Sequence, residues 1–307
     1  MKTSPSSSTP LSRRTFLAVT GLIPATIAAR VSAAESAQPA APGGSVGKRR
    51  PIGLELYSVR GELSRDLPNT LKTVSKMGYE VVEFYSPYFK WTAPYAKDVR
   101  SQMDDLGLRC YSTHNGIESF TPGENFAHAI ELNQILGCRY IVLASAHANG
   151  VDGWKQLGEK LSTATEQLKS HGLSAGYHNH GAEWAKLDNG QRIIEVIAAN
   201  TPKEFVLQLD VGTCMEAGAD PVAWVKANPG RIKSMHLKDW GPGTKGDEKG
   251  YRVLFGEGAT PWKELLAAAE SVGGVEYYLI EQEGSRYSEY ETVKRCLDNW
   301  KAMFGKV

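Results

Sequence analysis

From Ile52 onward the chain switches period eight times. A short run of β-branched and aromatic residues gives way to a longer stretch with helical spacing, and the pair then repeats. Strand-like runs lie at 52–57, 80–85, 108–113, 139–144, 173–178, 205–210, 232–237 and 276–281. Helical patterns follow near 66–77, 93–106, 124–136, 153–170, 190–199, 220–227, 261–271 and 288–303. Leu67, Leu71 and Val74 show the spacing of one apolar helix face. Gly78, Gly107, Gly137 and Gly172 each follow a helical stretch, where a left-handed cap favours glycine. Eight strand–helix units in about 255 residues predict an α/β chain closed into a single (β/α)8 barrel over residues 51–307. An open doubly wound sheet would carry a glycine-rich phosphate turn after its first strand. That position reads Leu56-Tyr57-Ser58-Val59-Arg60, with no such turn.

Residues 1–50 do not share the alternation. Ser12-Arg13-Arg14-Thr15-Phe16-Leu17 precedes an apolar run from Ala18 to Ala29 and the small residues Val31-Ser32-Ala33. This three-part layout predicts an export signal over 1–34. Its paired arginines resemble the twin-arginine signal, whose translocase exports folded proteins. The apolar run is short for a bilayer span, so the processed chain is expected in the periplasm or outside the cell, without stable membrane insertion. Residues 35–50 read as a disordered lead-in rich in Ala, Pro and Gly. The whole chain carries 35 basic and 34 acidic residues. Removing Lys2, Arg13, Arg14 and Arg30 with the signal leaves 31 against 34, a net of −3. Such a balance excludes a strongly basic face for nucleic acid. Cys110, Cys138, Cys214 and Cys296 lie far apart with no CxxC pair, so they point to neither a zinc ribbon nor a disulfide framework.

A barrel builds its active site at the C-terminal ends of its strands. Those ends are polar here. Strand two offers Glu83, strand three runs into His114, and strand five ends at His178-Asn179-His180. Strand six ends at Asp210, strand seven carries His236-Leu237-Lys238, and strand eight ends at Glu281. An Asp after a strand commonly caps a helix, and a lone His is commonly a hydrogen-bonded structural residue. Together, though, His178, Asp210, His236 and Glu281 ring one mouth from four consecutive strands and form a candidate site for one divalent ion. Two imidazoles and two carboxylates suit Mn2+, which we favour, as well as Zn2+, Co2+ or Fe2+. His178 and His180 share one face of a regular strand, so the sequence leaves open which of them reaches the ion. Trp184 and Trp240 follow the His178 and His236 segments, where an aromatic face could pack on a sugar ring or close a loop over the barrel.

The chain resembles the xylose isomerase-like TIM-barrel superfamily, which holds sugar isomerases and epimerases. The resemblance runs from residue 52 to 305. Its most specific pieces are Gly53-Leu54-Glu55-Leu56-Tyr57-Ser58, Gly176-Tyr177-His178-Asn179-His180, Leu209-Asp210-Val211-Gly212, Met235-His236-Leu237-Lys238-Asp239, Phe255-Gly256-Glu257-Gly258 and Ile280-Glu281-Gln282. It implies that the metal ligands come from strands five to eight, again His178, Asp210, His236 and Glu281. The chain departs from the family at strand five, where many sugar epimerases have a Glu that serves as a second base. It departs again at Thr213, where a His is common, which speaks against a multi-zinc endonuclease site.

The expected function is that of an isomerase, epimerase or lyase taking a proton from beside the carbonyl of a sugar or keto-sugar, free or glycosidic. Glu281, or a residue facing it such as Glu83 or His114, is the expected base. Lys238 would hold an oxyanion. Asn179, His180, Trp184 and Trp240 would contact the carbohydrate. With His178 in place of a carboxylate, chemistry from one face of the substrate is expected over two-base epimerisation. The alternative is a non-catalytic carbohydrate-binding barrel of the cell envelope, which would have little need of Glu281 and Lys238 beside the other three.

Overall fold

A computed structural model describes residues 49–305. The expected export signal and nearly all of the 35–50 lead-in lie outside the described residues. The described chain opens with Arg49, whose guanidinium forks onto Glu80 at 2.7 and 2.8 Å.

Eight parallel strands close into a barrel: β1 (Ile52–Glu55), β2 (Val81–Phe84), β3 (Arg109–Asn115), β4 (Tyr140–Leu143), β5 (Ser174–His178), β6 (Val206–Asp210), β7 (Ser234–Leu237) and β10 (Tyr277–Ile280). Two short strands, β8 (Gly241–Pro242) and β9 (Lys249–Gly250), form a separate antiparallel pair after β7. Each barrel strand falls within one residue or two of its sequence-predicted run. The exceptions are physical. β1 stops at Glu55, and Leu56–Val59 turn into a 3-10 segment leading to a helix over Arg60–Arg65. The sequence pattern placed no helix there, because so short a helix shows little period. Val211–Glu216 also forms a helix directly after Asp210.

Local chemistry sets the helix ends. Asp66 caps the helix Leu67–Met77 by accepting from Asn69 N, Pro68 sits in its first turn, and Gly78 leaves it at φ 103°. Asp220 caps Pro221–Ala227 in the same way, accepting from the backbone N–H groups of Val222 and Ala223. Among the described residues, no helix is long and apolar enough to cross a membrane.

Alternate strand residues point into the barrel. A small apolar cluster of Val81, Tyr140, Val142, Val206, Tyr277 and Leu279 fills its lower interior, and a second, larger core lies between the sheet and the helices. Two glycines make room for the inner cluster. A Cβ on Gly53 would lie 2.7 Å from Val81 O and 2.8 Å from Leu279 Cδ2, and one on Gly176 would lie 3.0 Å from Val206 Cβ. Two residues further along each strand, at the C-terminal end, the inward positions become Glu55, Glu83, His178, Gln208, His236 and Glu281. The layering follows from the two-residue period of the strands, which stacks one polar ring on one apolar ring.

Filling the space at Gly53 should overpack the barrel. Gly53→Val is expected to cost at least about 1–3 kcal/mol, seen as a lower urea midpoint with an unchanged slope. An unaltered midpoint would contradict this packing.

Candidate metal centre

The polar ring begins with three acids side by side. Glu55 is in register with Glu83 across β1 and β2, and Leu54 with Ile280 across β1 and β10, so Glu281 follows on the other side. Three imidazoles face them. The ring centroids of His114, His178 and His236 lie 4.4–5.1 Å apart, and all three are buried.

His236 ties this arc together. Its Nδ1 is 2.7 Å from Glu281 Oε2 and its Nε2 is 2.7 Å from Glu83 Oε2. A ring that donates from both nitrogens is an imidazolium. Burial opposes that charge, but Glu83 and Glu281 outweigh it and carry the pKa of His236 up to about 10. In return, burial raises both carboxyls, yet the His114 and His236 rings hold Glu83 below the carboxylate range, and Lys238 with His236 does the same for Glu281. Glu55 has no such partner. Its Oε1 accepts from Tyr57 N at 3.2 Å, while its buried Oε2 has none. Burial first, then Glu83, push its carboxyl well above the usual range, so it is a neutral acid at pH 7.

Gln208 sets the protonation of the other two rings. Its Nε2 donates to Glu83 Oε1 at 2.9 Å and to Ser234 Oγ at 3.0 Å, which turns its Oε1 toward the imidazoles. Oε1 is an acceptor only. His114 Nε2 (2.7 Å) and His178 Nδ1 (3.1 Å) must therefore carry the hydrogens they donate to it. Burial, then His236, drives the pKa of His178 well down, so that ring is neutral and its Nε2 presents a lone pair. That nitrogen lies 3.8 Å from Asp210 Oδ2.

The two oxygens of Asp210 do different work. Oδ1 accepts from Thr213 N at 2.8 Å and caps the following helix, as an Asp after a strand commonly does. Oδ2 is buried, makes no well-directed hydrogen bond, and lies 2.9 Å from Lys238 Nζ. Lys238 is 1% exposed and also lies 2.5 Å from Glu283 and 3.6 Å from Glu281. Burial lowers its pKa, but these three acids overcome the effect and hold it protonated. Next to it, Asp239 accepts from Trp240 N, Gly256 N, Gly258 N, Thr260 Oγ1 and Trp262 Nε1 at 2.8–3.0 Å, pinning the chain from β7 to the helix Trp262–Ala268.

One ligand atom from each of His178, Asp210, His236 and Glu281 lies within 4.8 Å of the others. Asp210 Oδ2, held only by the Lys238 ion pair, and the neutral His178 suit a cation, and its arrival would release a proton from His236. The residues therefore fit one divalent ion. His114, Glu55 and Glu83 form a second such group that also uses His236.

A cavity of about 370 Å3 opens above the ring, lined by Glu55, Tyr57, His114, His178, His180 and Glu281 among others. The structure thus gathers the four ligands with His114 and His180. It places the other predicted residues elsewhere. Glu83 is fully buried, bonded to Ser112 Oγ, Gln208 and His236, and does not line the cavity. Lys238 is enclosed by carboxylates rather than facing a substrate. Asn179 clamps β5 to β6, donating to Thr213 Oγ1 at 3.0 Å and accepting from Asp210 N at 3.1 Å. Trp184 packs edge-on against Trp224 at 5.4 Å, away from this mouth, because the 3-10 turn Ala182–Trp184 carries it into the helix layer. Trp240 packs on Tyr251, whose ring lies 4.9 Å from Lys238 Nζ, so it touches the site only through that pair. Sequence reasoning missed Glu55, Gln208 and Asp239. Glu55 had a visible signal, since it ends its strand as Glu83 and Glu281 end theirs. Reading strand one on through Tyr57 hid it.

The two protonation states can be separated by isosteric change. Glu55→Gln, replacing a neutral acid, should leave unfolding free energy within about 1 kcal/mol of the parent. Glu83→Gln should cost about 3–5 kcal/mol, because it leaves the His236 charge short of a partner. Equal losses in urea unfolding would refute the assignment.

No match to a curated protein is found for this sequence. Among solved structures, the barrel is similar to a sugar phosphate isomerase/epimerase from Parabacteroides distasonis, with 26% identity and a TM-score of 0.70 over 86% of this chain and 98% of that one. It shares its fold with the IOLI protein solved with a bound zinc atom (16% identity, TM-score 0.61, 82% of this chain and 95% of that one). The fold is also that of an L-ribulose 3-epimerase (17% identity, TM-score 0.57, 83% and 94%). The sequence profile of the xylose isomerase-like TIM barrel matches residues 71–301, and the chain belongs to that family.

Proposed function

We propose that the chain is a metal-dependent isomerase or lyase that removes a proton beside the carbonyl of an uncharged sugar or keto-sugar. The observation that carries this reading is the cavity itself, where an ionised Glu281, a neutral acid at Glu55 and the imidazoles of His114 and His178 converge on one space. The similar structures named for sugar isomerisation, epimerisation and bound zinc support it.

His178, Asp210, His236 and Glu281 would hold the ion, with Mn2+ favoured among the metals such donors accept. When bound, a divalent ion polarises a carbonyl and stabilises charge developing on its oxygen. Glu281 takes the proton, since Lys238 and His236 keep it ionised at neutral pH. Lys238 serves by fixing that charge state and by holding Asp210. Glu55 carries a proton on the same side, and His114 offers an unbonded Nδ1 at the cavity wall. His178 has no carboxylate to deprotonate from the strand-five side, so the chemistry runs mainly from one face. Return of the proton at the neighbouring carbon gives an isomer, and loss of a β-oxygen gives elimination. We also propose that the protein works in the periplasm or outside the cell, exported folded by the twin-arginine translocase.

Two measurements test this. Conversion of a sugar in deuterated water should place deuterium at the carbon next to the carbonyl, and Glu281→Gln should slow it by about 10²–10⁴-fold. Turnover without exchange would overturn the proton-abstraction step. Calorimetric titration with Mn2+ should find one tight site, and Gln208→Leu, which frees the His178 tautomer, should weaken it by about 10–100-fold. Unchanged affinity would remove Gln208 from the metal centre.

A further inference from the structure

Beside the mouth lies a second cavity of about 460 Å3 that the proposed chemistry does not use. One wall is aromatic. Phe84 ends β2, Tyr85, Tyr88 and Trp91 belong to the 3-10 turn after it and its flanks, and Tyr95 lies in the first turn of the next helix. Trp91 is the hub, with Phe84 edge-on at 5.0 Å and Tyr95 edge-on at 5.3 Å. The other wall is the turn over residues 63–68. The two cavities share Tyr85 as a lining residue, and its ring packs edge-on against that of Tyr57 at 5.3 Å.

Charge decides what can span the pair. Among the described residues, no Arg or Lys lines the mouth cavity, whereas Glu55, Glu281 and Glu283 do. The nearby cations are already engaged. Lys238 is enclosed by Asp210, Glu281 and Glu283. Arg60 donates to Tyr57 O and Glu283 O and lies over the Tyr57 ring at 4.5 Å. In the aromatic cavity Arg65 pairs with Glu62 at 2.5 Å. A phosphate group would enter beside Glu55, Glu281 and Glu283 and meet no Arg or Lys on the wall of the mouth.

Resting on the function proposed above, we propose that the substrate is an uncharged glycoside whose reacting sugar carries the carbonyl, as a keto group or a free reducing end. Its reacting sugar sits over the imidazoles, and its second ring lies in the aromatic cavity beyond Tyr85. Aromatic faces suit the C–H faces of a neutral ring, and a cavity of this size accommodates one such ring.

The test uses the full chain loaded with Mn2+ and four probes in calorimetry: glucose, cellobiose, 4-nitrophenyl glucoside and glucose 6-phosphate. The two glycosides should bind about tenfold or more tightly than glucose, and glucose 6-phosphate should bind more weakly than glucose. Trp91→Ala should shrink the glycoside advantage, as should Tyr95→Ala, which alters a side chain of a residue that is 41% exposed and so spares the fold. Glucose 6-phosphate binding as tightly as glucose would overturn the proposal. So would equal affinity for glucose and the glycosides, an advantage that survives both substitutions, or no binding of any probe. A glycoside advantage lost in both variants, with no deuterium exchange in any sugar, would uphold the second-ring site while overturning the proposed reaction.

Discussion

The site depends on one ring held between two acids. His236 rises from β7 and reaches Glu281 on the neighbouring β10 and Glu83 on β2, across the barrel interior. A buried carboxylate is costly without a partner. The single positive charge on His236 stabilises two of them, leaving Glu55 between as the acid that stays neutral. The order of charge along this arc, ionised, neutral, ionised, follows from which residues the ring reaches.

A second charge centre sits across the mouth. Lys238 holds Asp210, Glu281 and Glu283, while its neighbour Asp239 gathers six donors along the stretch from Trp240 to Trp262. The two side chains leave consecutive residues with different tasks. One sets the charge of the ligands, and the other anchors the backbone from which that charge is presented. Gln208 couples the two halves. It is bonded to Glu83 on one side and to His114 and His178 on the other, so the tautomer of a candidate ligand is written by a neutral residue of the same ring, in register with His178.

Family membership gives the barrel and the strand ends that carry chemistry, but substrate choice lies in the lining. The P. distasonis protein is named for sugar phosphates. The cavity described here offers acids and imidazoles where a phosphate would seek Arg or Lys.

The sequence by itself determined the barrel, because eight changes between a period near 2 and a period near 3.6 over this length have few other closed solutions. It also determined which strand ends are polar, and so named His178, Asp210, His236 and Glu281 together. What it did not determine depends on contacts between residues far apart in the chain. That Glu55 belongs with Glu83 and Glu281 is a matter of register across three strands. That Asn179 clamps a strand and Trp184 turns into the helix layer is decided by the few residues after β5, where no period guides the eye. Protonation is the most remote of all from sequence. Glu55, Glu83 and Glu281 are the same residue type at equivalent strand ends, yet one is neutral and two are charged, because only the closed barrel brings His236 to the outer pair and leaves the middle acid buried without a cation.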